Sequence, residues 1–173
     1  MKKLTILMLV VVMVLGLMLL AVGASDPVNK VTGEIWVDSG EESWQHLVFD
    51  VHDREGEDKG YIYWYGDDED VDVAEPYRTS PVLCCNFVDE NTAWVAIGPD
   101  PDRPQDLPAG CLVLKVVDGG SPGADYDKVY AEPLPDPNLE GREEVACAMV
   151  ANETEPSLEP PIVGGNLVVH YYE

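Results

Sequence analysis

Trp44-Gln45-His46-Leu47-Val48-Phe49-Asp50-Val51-His52 is the stretch that decides the fold class. In an extended chain successive side chains point to opposite faces. Leu47, Phe49 and Val51 therefore share one face, and His46, Asp50 and His52 share the other. A period of two, apolar on one side and polar on the other, marks a half-buried β-strand. The pattern extends outward in both directions. Residues 31–37 precede it, and residues 61–65 follow a polar turn at 54–59, with Ile62 and Trp64 opposite three tyrosines. After a charged loop at 67–72, strand resumes over 77–88. Asp89-Glu90-Asn91 then makes a tight turn into 92–98, where Ala93, Val95 and Ile97 alternate with Trp94 and Ala96.

Beyond that point the segments shorten. Residues 99–108 contain four prolines, which no central strand accommodates. Leu112, Leu114 and Val116 mark the next core-facing run, 118–125 is a Gly-rich turn, and 128–131 is strand again. A second Pro-rich loop covers 133–137, residues 145–150 are short and apolar, 154–161 is the last loop, and 166–172 closes the domain. There is no internal repeat, heptad pattern or long helical stripe. The expected fold is all-β, an antiparallel meander of about 8–10 short strands closed as a barrel or folded as a sandwich, with little helix.

The chain has 173 residues, with 33 acidic and 10 basic side chains and a net charge of -23. That charge argues against nucleic acid, whose phosphates need a basic face, and against an anionic membrane surface. With 46% hydrophobic residues the chain has material for a core and is not a disordered acidic tail. Residues 1–24 read as an export signal: Lys2 and Lys3, an apolar run, then Val22-Gly23-Ala24 as small residues for cleavage. An uncleaved anchor is the alternative, since about 20 apolar residues span a bilayer. The expected organisation is a signal peptide at 1–24, a short tail at 25–30 and one β-domain at 31–173, working outside the cell or at its surface. All 33 acids lie beyond residue 24, so losing Lys2 and Lys3 deepens the charge to -25. Such acidity keeps a surface hydrated in concentrated salt, or gathers carboxylates around a hard cation such as Ca2+.

The four cysteines, Cys84, Cys85, Cys111 and Cys147, are an even set in an exported chain, so disulfides are expected rather than metal ligation. Neighbouring Cys84 and Cys85 point to opposite faces of a strand and are poorly placed to bridge each other. Three complete pairings are possible in all, and two of them avoid a Cys84–Cys85 bond.

The run Cys85-Asn86-Phe87-Val88-Asp89-Glu90-Asn91-Thr92-Ala93 resembles the strand-turn-strand of a group of uncharacterised secreted bacterial β-domains, known only as post-anchor domains of unknown function. So do Val116-Val117-Asp118-Gly119-Gly120-Ser121-Pro122-Gly123, Asp127 and Gly164-Gly165-Asn166-Leu167-Val168-Val169-His170. The match lies mainly over 82–172; Val31-Thr32-Gly33, Phe49 and Gly60 fit its first half more weakly. The chain departs from the usual Asp-Asn-Gly of that group by carrying Gly119. The resemblance implies a secreted all-β module and lends no catalytic residues. It also implies a Cys85–Cys147 disulfide, leaving Cys84 and Cys111 as a second pair or as buried thiols.

Several constellations are candidate sites. Trp36, Trp44, Tyr61, Tyr63, Tyr65 and Tyr171 fall on or near the face opposite the core side chains. Beside carboxylates they form a surface on which sugar rings can stack; cross-strand stabilisation of the sheet is the structural alternative. Asp118, Asp125 and Asp127 are candidate Ca2+ ligands, although their spacing is not an EF-hand and Asp and Gly are ordinary turn residues. Gly164-Gly165-Asn166 reads as a turn or bulge entering the last strand. His46 and His52 share a strand face but lie six residues apart, about 20 Å along a strand, too far for one metal. The expected function is a non-catalytic binding or structural module, for a glycan or a cell-envelope component, needing no cofactor unless Ca2+. The alternative is a small secreted glycosidase-like hydrolase using carboxylates such as Asp50, Asp118 or Asp127.

Overall fold

A computed structural model describes residues 28–40, 43–54, 57–65, 76–102, 110–120, 127–134 and 141–172. The expected export signal at 1–24 and the candidate ligand Asp125 lie outside the described residues. Eight strands, β1 (Asn29–Gly40), β2 (Ser43–Arg54), β3 (Glu57–Tyr65), β4 (Arg78–Asp89), β5 (Thr92–Ile97), β6 (Cys111–Val117), β7 (Lys128–Leu134) and β8 (Ile162–His170), form one antiparallel sheet. Their order is β7-β6-β5-β4-β3-β2-β1-β8, a seven-strand meander with the last strand returning beside the first. The sheet curls into a half-barrel, so the all-β meander holds and the architecture is an incomplete barrel. β1 begins inside the expected tail, and β2 and β3 run into the turn at 54–59, so that hairpin is tighter than its polarity suggested.

The curl has two local causes. β4 pairs with β3 through Arg78–Pro81 and with β5 from Val82 onward, with a bulge between Val82 and Cys84. Bulges bend a strand and sharpen its twist. The second cause is glycine. Gly60 (φ 123) and Gly165 (φ 100) sit mid-strand, where a Cβ would overlap the carbonyl oxygens of Asp50 and Glu34 on the neighbouring strands. Only a residue without a side chain permits that close approach. The turn or bulge expected at Gly164-Gly165-Asn166 falls one residue earlier: those three pair regularly with Trp36, Ile35 and Glu34, and Val163 is the extra residue between Gly164 and Ile162.

The alternating residues line the inside of the curl. Leu47, Phe49, Val51, Ile62 and Trp64 meet Val95, Ile97, Leu112, Leu114, Val116 and Leu167 in one core. β5 is buried on both faces, because Trp94 and Ala96 pack outward beneath Ala146 and Val150. Those two belong to α1 (Arg142–Ala151), the one helix among the described residues. The apolar segment 145–150 is thus helical rather than a further strand. Six residues do not distinguish period 2 from period 3.6. The helix is set by Glu143 and Glu144 in its first turn, by its alanines, and by Ala146 and Val150 one turn apart against the sheet.

The disulfide pairing implied by the resemblance is corrected. Cys147 bonds Cys84, with Cα atoms 5.8 Å apart, while Cys85 and Cys111 are free, so neither Cys85–Cys147 nor Cys84–Cys111 forms. The bulge turns both Leu83 and Cys84 toward α1 and returns Cys85 to the inner core, where its thiol donates to Asp58 Oδ1 at 3.1 Å. Burial first, then the Asp58 carboxylate, pushes the Cys85 thiol far above its ordinary value; burial also raises Cys111. In the unfolded chain a thiol ionises near pH 8.5, whereas folded Cys85 stays protonated, so the folded state binds the extra proton at high pH. Stability is complete below about pH 8 and falls above pH 9, by up to about 1.4 kcal/mol per pH unit for this thiol. Urea melts between pH 7 and 10.5 should show that decline, and Cys85→Ser should flatten it.

The two sheet edges, β7 and β8, are not joined by a backbone ladder. A strap at 154–161 covers β7: Ala131 N–H donates to Leu158 O (2.8 Å) and Leu158 N–H to Ala131 O (3.0 Å). Lys128 Nζ meets Glu159 at 3.0 Å, a bond that raises the Lys128 pKa, and Ser157 N–H donates to Glu132 at 2.8 Å. On the β8 side the edge amides are taken by carboxylates. Leu167 N–H donates to Asp127 Oδ2 (2.8 Å) and Val169 N–H to Asp118 Oδ2 (3.1 Å). The remaining oxygens accept Gly119 N–H (3.0 Å, Asp127) and Gly120 N–H (2.7 Å, Asp118). Two acids in the turn thus occupy the place of a ninth strand along this stretch of β8.

Candidate functional site

The outer face of β1, β2, β3 and β8 carries Trp36, Tyr61, Tyr63 and Tyr65 of the aromatic set. Registers Gly164–Trp36, Trp36–His46 and His46–Tyr65 put these four residues in one row across the sheet. Trp36 and His46 stack with centroids 4.2 Å apart and planes 8° from parallel; Tyr65 leans on His46 at 5.2 Å. The other end of the row is open. A Cβ on Gly164 would touch the indole at Trp36 Cδ1, 3.3 Å away, so the glycine leaves bare a surface that any other residue would cover. Trp36 is 38% exposed.

Polar groups border the row. His46 Nε2 and Glu34 Oε2 are 3.1 Å apart, with the Glu34 carboxylate largely in solvent. The next rows add Tyr63 and Tyr61, tilted against each other at 6.0 Å. They share an open hollow of about 550 Å³ with Asp50, His52 and Asp58. Partial burial, then the Asp50 charge and the flanking tyrosines, raises the Tyr63 phenol above its ordinary value, keeping it a neutral hydrogen-bond donor.

Trp36, Tyr61, Tyr63 and Tyr65 therefore share the expected face. Trp44 takes its backbone place opposite Asp38. Tyr171 does not join them: it follows His170, which pairs with Lys30 at the far end of β1 from Trp36. Seven residues separate it from Gly164, about 23 Å along a strand. His46 and Glu34 are the members the pattern of aromatics missed. The signal was the hairpin itself: folding β1 against β2 at residues 40–43 places 36 against 46 and 34 against 48.

Asp118 and Asp127 are brought together, but each of their four oxygens accepts a backbone amide. Their position serves the turn and the β8 edge; among the described residues no group of three or more His, Cys, Asp or Glu is placed to hold a metal. Nor does the fold unite Asp50 with that pair. Asp50 stands on β2, separated by β1 from the β8 edge where Asp118 and Asp127 lie. No protein-family model, curated protein or solved structure matches this chain.

Proposed function

We propose that the chain is an exported, non-catalytic binding module that holds a neutral or amino-bearing glycan on its outer aromatic face. The observation that carries this reading is the indole of Trp36, stacked on His46 and left uncovered over Gly164. An apolar ring surface bordered by a few polar groups is the usual makeup of a small-ligand site. Here Glu34, Asp50 and the tyrosine hydroxyls supply hydrogen bonds to sugar hydroxyls. Carboxylates bordering the platform, on a chain of net charge -23, disfavour acidic sugars. The export segment at 1–24 and the resemblance to secreted post-anchor domains support a location at or outside the cell surface.

Isothermal titration against glycans selected on an array tests the reading. Trp36→Ala should weaken binding about 30-fold, as expected for removing an anchor worth about 2 kcal/mol. Gly164→Val should do the same by covering the indole, with little change in Tm. Absence of binding to any neutral or amino glycan would refute the proposal.

A further inference from the structure

The inside of the half-barrel is filled only part-way. A cavity of about 380 Å³ opens at one end, where Leu47 and Trp64 of β2 and β3 face Leu112, Leu114 and Val129 of β6 and β7. Packed cores have few voids larger than a water molecule. This one is roughly two and a half times the ~150 Å³ apolar cavity that stays dry and takes up benzene. The strap forms one wall through Leu158 and Pro160. Leu158 is held by two backbone bonds to Ala131, yet it is 52% exposed beside the opening. A fixed leucine left bare over an apolar hollow gains from whatever covers it, at about 25 cal/mol per Å² of apolar surface buried.

Among the described residues the polar members of the lining are Asp38, Gln45 and Glu159. Two of these are carboxylates, and one of them, Glu159, is bonded by Lys128. We propose that this cavity is a binding site for a small apolar molecule that is neutral or carries an amine at one end. Its body fills the space between the two walls of the sheet, and an N–H or ammonium meets the carboxylates. A ligand with a carboxylate head would be desolvated against like charges, which costs several kcal/mol. The site is distinct from the outer aromatic face and does not depend on it, because Val37, Leu47, Trp64, Leu112, Leu114 and Val129 of its lining belong to the inner core, and Trp36, His46 and Tyr65 do not line it.

The test uses the full chain and the neutral fluorophore N-phenyl-1-naphthylamine. Fluorescence should rise saturably with one molecule bound per chain, and decylamine should displace the probe while decanoate does not. Ala131→Leu, which adds three carbons to the cavity wall, should weaken probe binding at least tenfold. Trp36→Ala should leave it unchanged, separating this site from the glycan face. Energy transfer from Trp64 to the bound probe, diminished in Trp64→Phe, supplies a readout should Ala131→Leu fold poorly. A lack of saturable binding, or binding and transfer indifferent to both cavity variants, would overturn the site. Equal displacement by decanoate would overturn the chemistry assigned to its ligand.

Discussion

Replacing Cys84 and Cys147 together by serine should lower the stability of the folded chain by about 4 kcal/mol, the chain-entropy value for a loop this long. The bond closes a sequence separation of 63 residues and ties β4 to α1. A ten-residue helix is marginal by itself. Among the described residues its other ties include the packing of Ala146 and Val150 against Trp94, Ala96, Cys111 and Val113, a bond from Asn86 Nδ2 to Val150 O at 3.5 Å, and one from Trp94 Nε1 to Thr154 O just beyond its end at 3.4 Å. Without the bond, α1 and the outer apolar surface of β5 and β6 are the first parts to open. Urea melts read the loss, and Tm should fall by about 10 °C. Cys85→Ser is the control, since peptide mapping has no cleavage site between adjacent cysteines. It should keep the disulfide mass and most of the stability. Loss of the disulfide in Cys85→Ser would show that the other thiol carries the bond.

Asp127→Ala should be nearly as damaging, at about 3–5 kcal/mol, because hydrogen bonds to a charged group contribute about 1.5–3 kcal/mol each and their removal orphans buried amides. Asp127 is 4% exposed and accepts from Gly119 and Leu167. Truncating it opens the edge of β8 and loosens the turn at once. Asp127→Asn should cost less, about 2 kcal/mol, since one carbonyl oxygen survives while the amide NH2 faces a donor. Asp118 is less buried, so Asp118→Ala should cost about 1–2 kcal/mol. Amide exchange supplies the local check: Leu167 N–H should lose protection in Asp127→Ala, and Val169 N–H in Asp118→Ala. An Asp127→Ala protein within 1 kcal/mol of the parent, with Leu167 still protected, would show that the edge is held by other means.

Both expectations concern residues whose partners are remote in sequence, and that separates what could be read from what could not. The faces of β2, β3, β5 and β6 were legible because alternation is local: Leu47, Phe49, Val51, Ile62, Ala93, Val95, Ile97, Leu112, Leu114 and Val116 are all buried. Trp36, Tyr61, Tyr63 and Tyr65 were legible as an outer face by the same parity. His46 and Glu34 were not assigned to that face as partners, since their roles depend on register across a hairpin. The helix at 142–151 was missed because its short apolar stretch carries no clear period. With the helix went the disulfide, since a one-residue bulge decides whether Cys84 or Cys85 faces it.

The sequence by itself determined the all-β class, the inward parity of β2, β3, β5 and β6, the outward parity of Trp36, Tyr61, Tyr63 and Tyr65, and the excess of negative charge. These follow from a period of two and from composition, which need no knowledge of distant partners. Tertiary structure decided how far the sheet closes, which cysteines bond, and what Asp118 and Asp127 do. It also decided whether Trp36 is covered and whether the interior is filled. Each of these rests on one backbone meeting another across dozens of residues. Mid-strand glycines, bulges in β4 and β8 and two turn carboxylates set those meetings, and in the linear chain they look like any others.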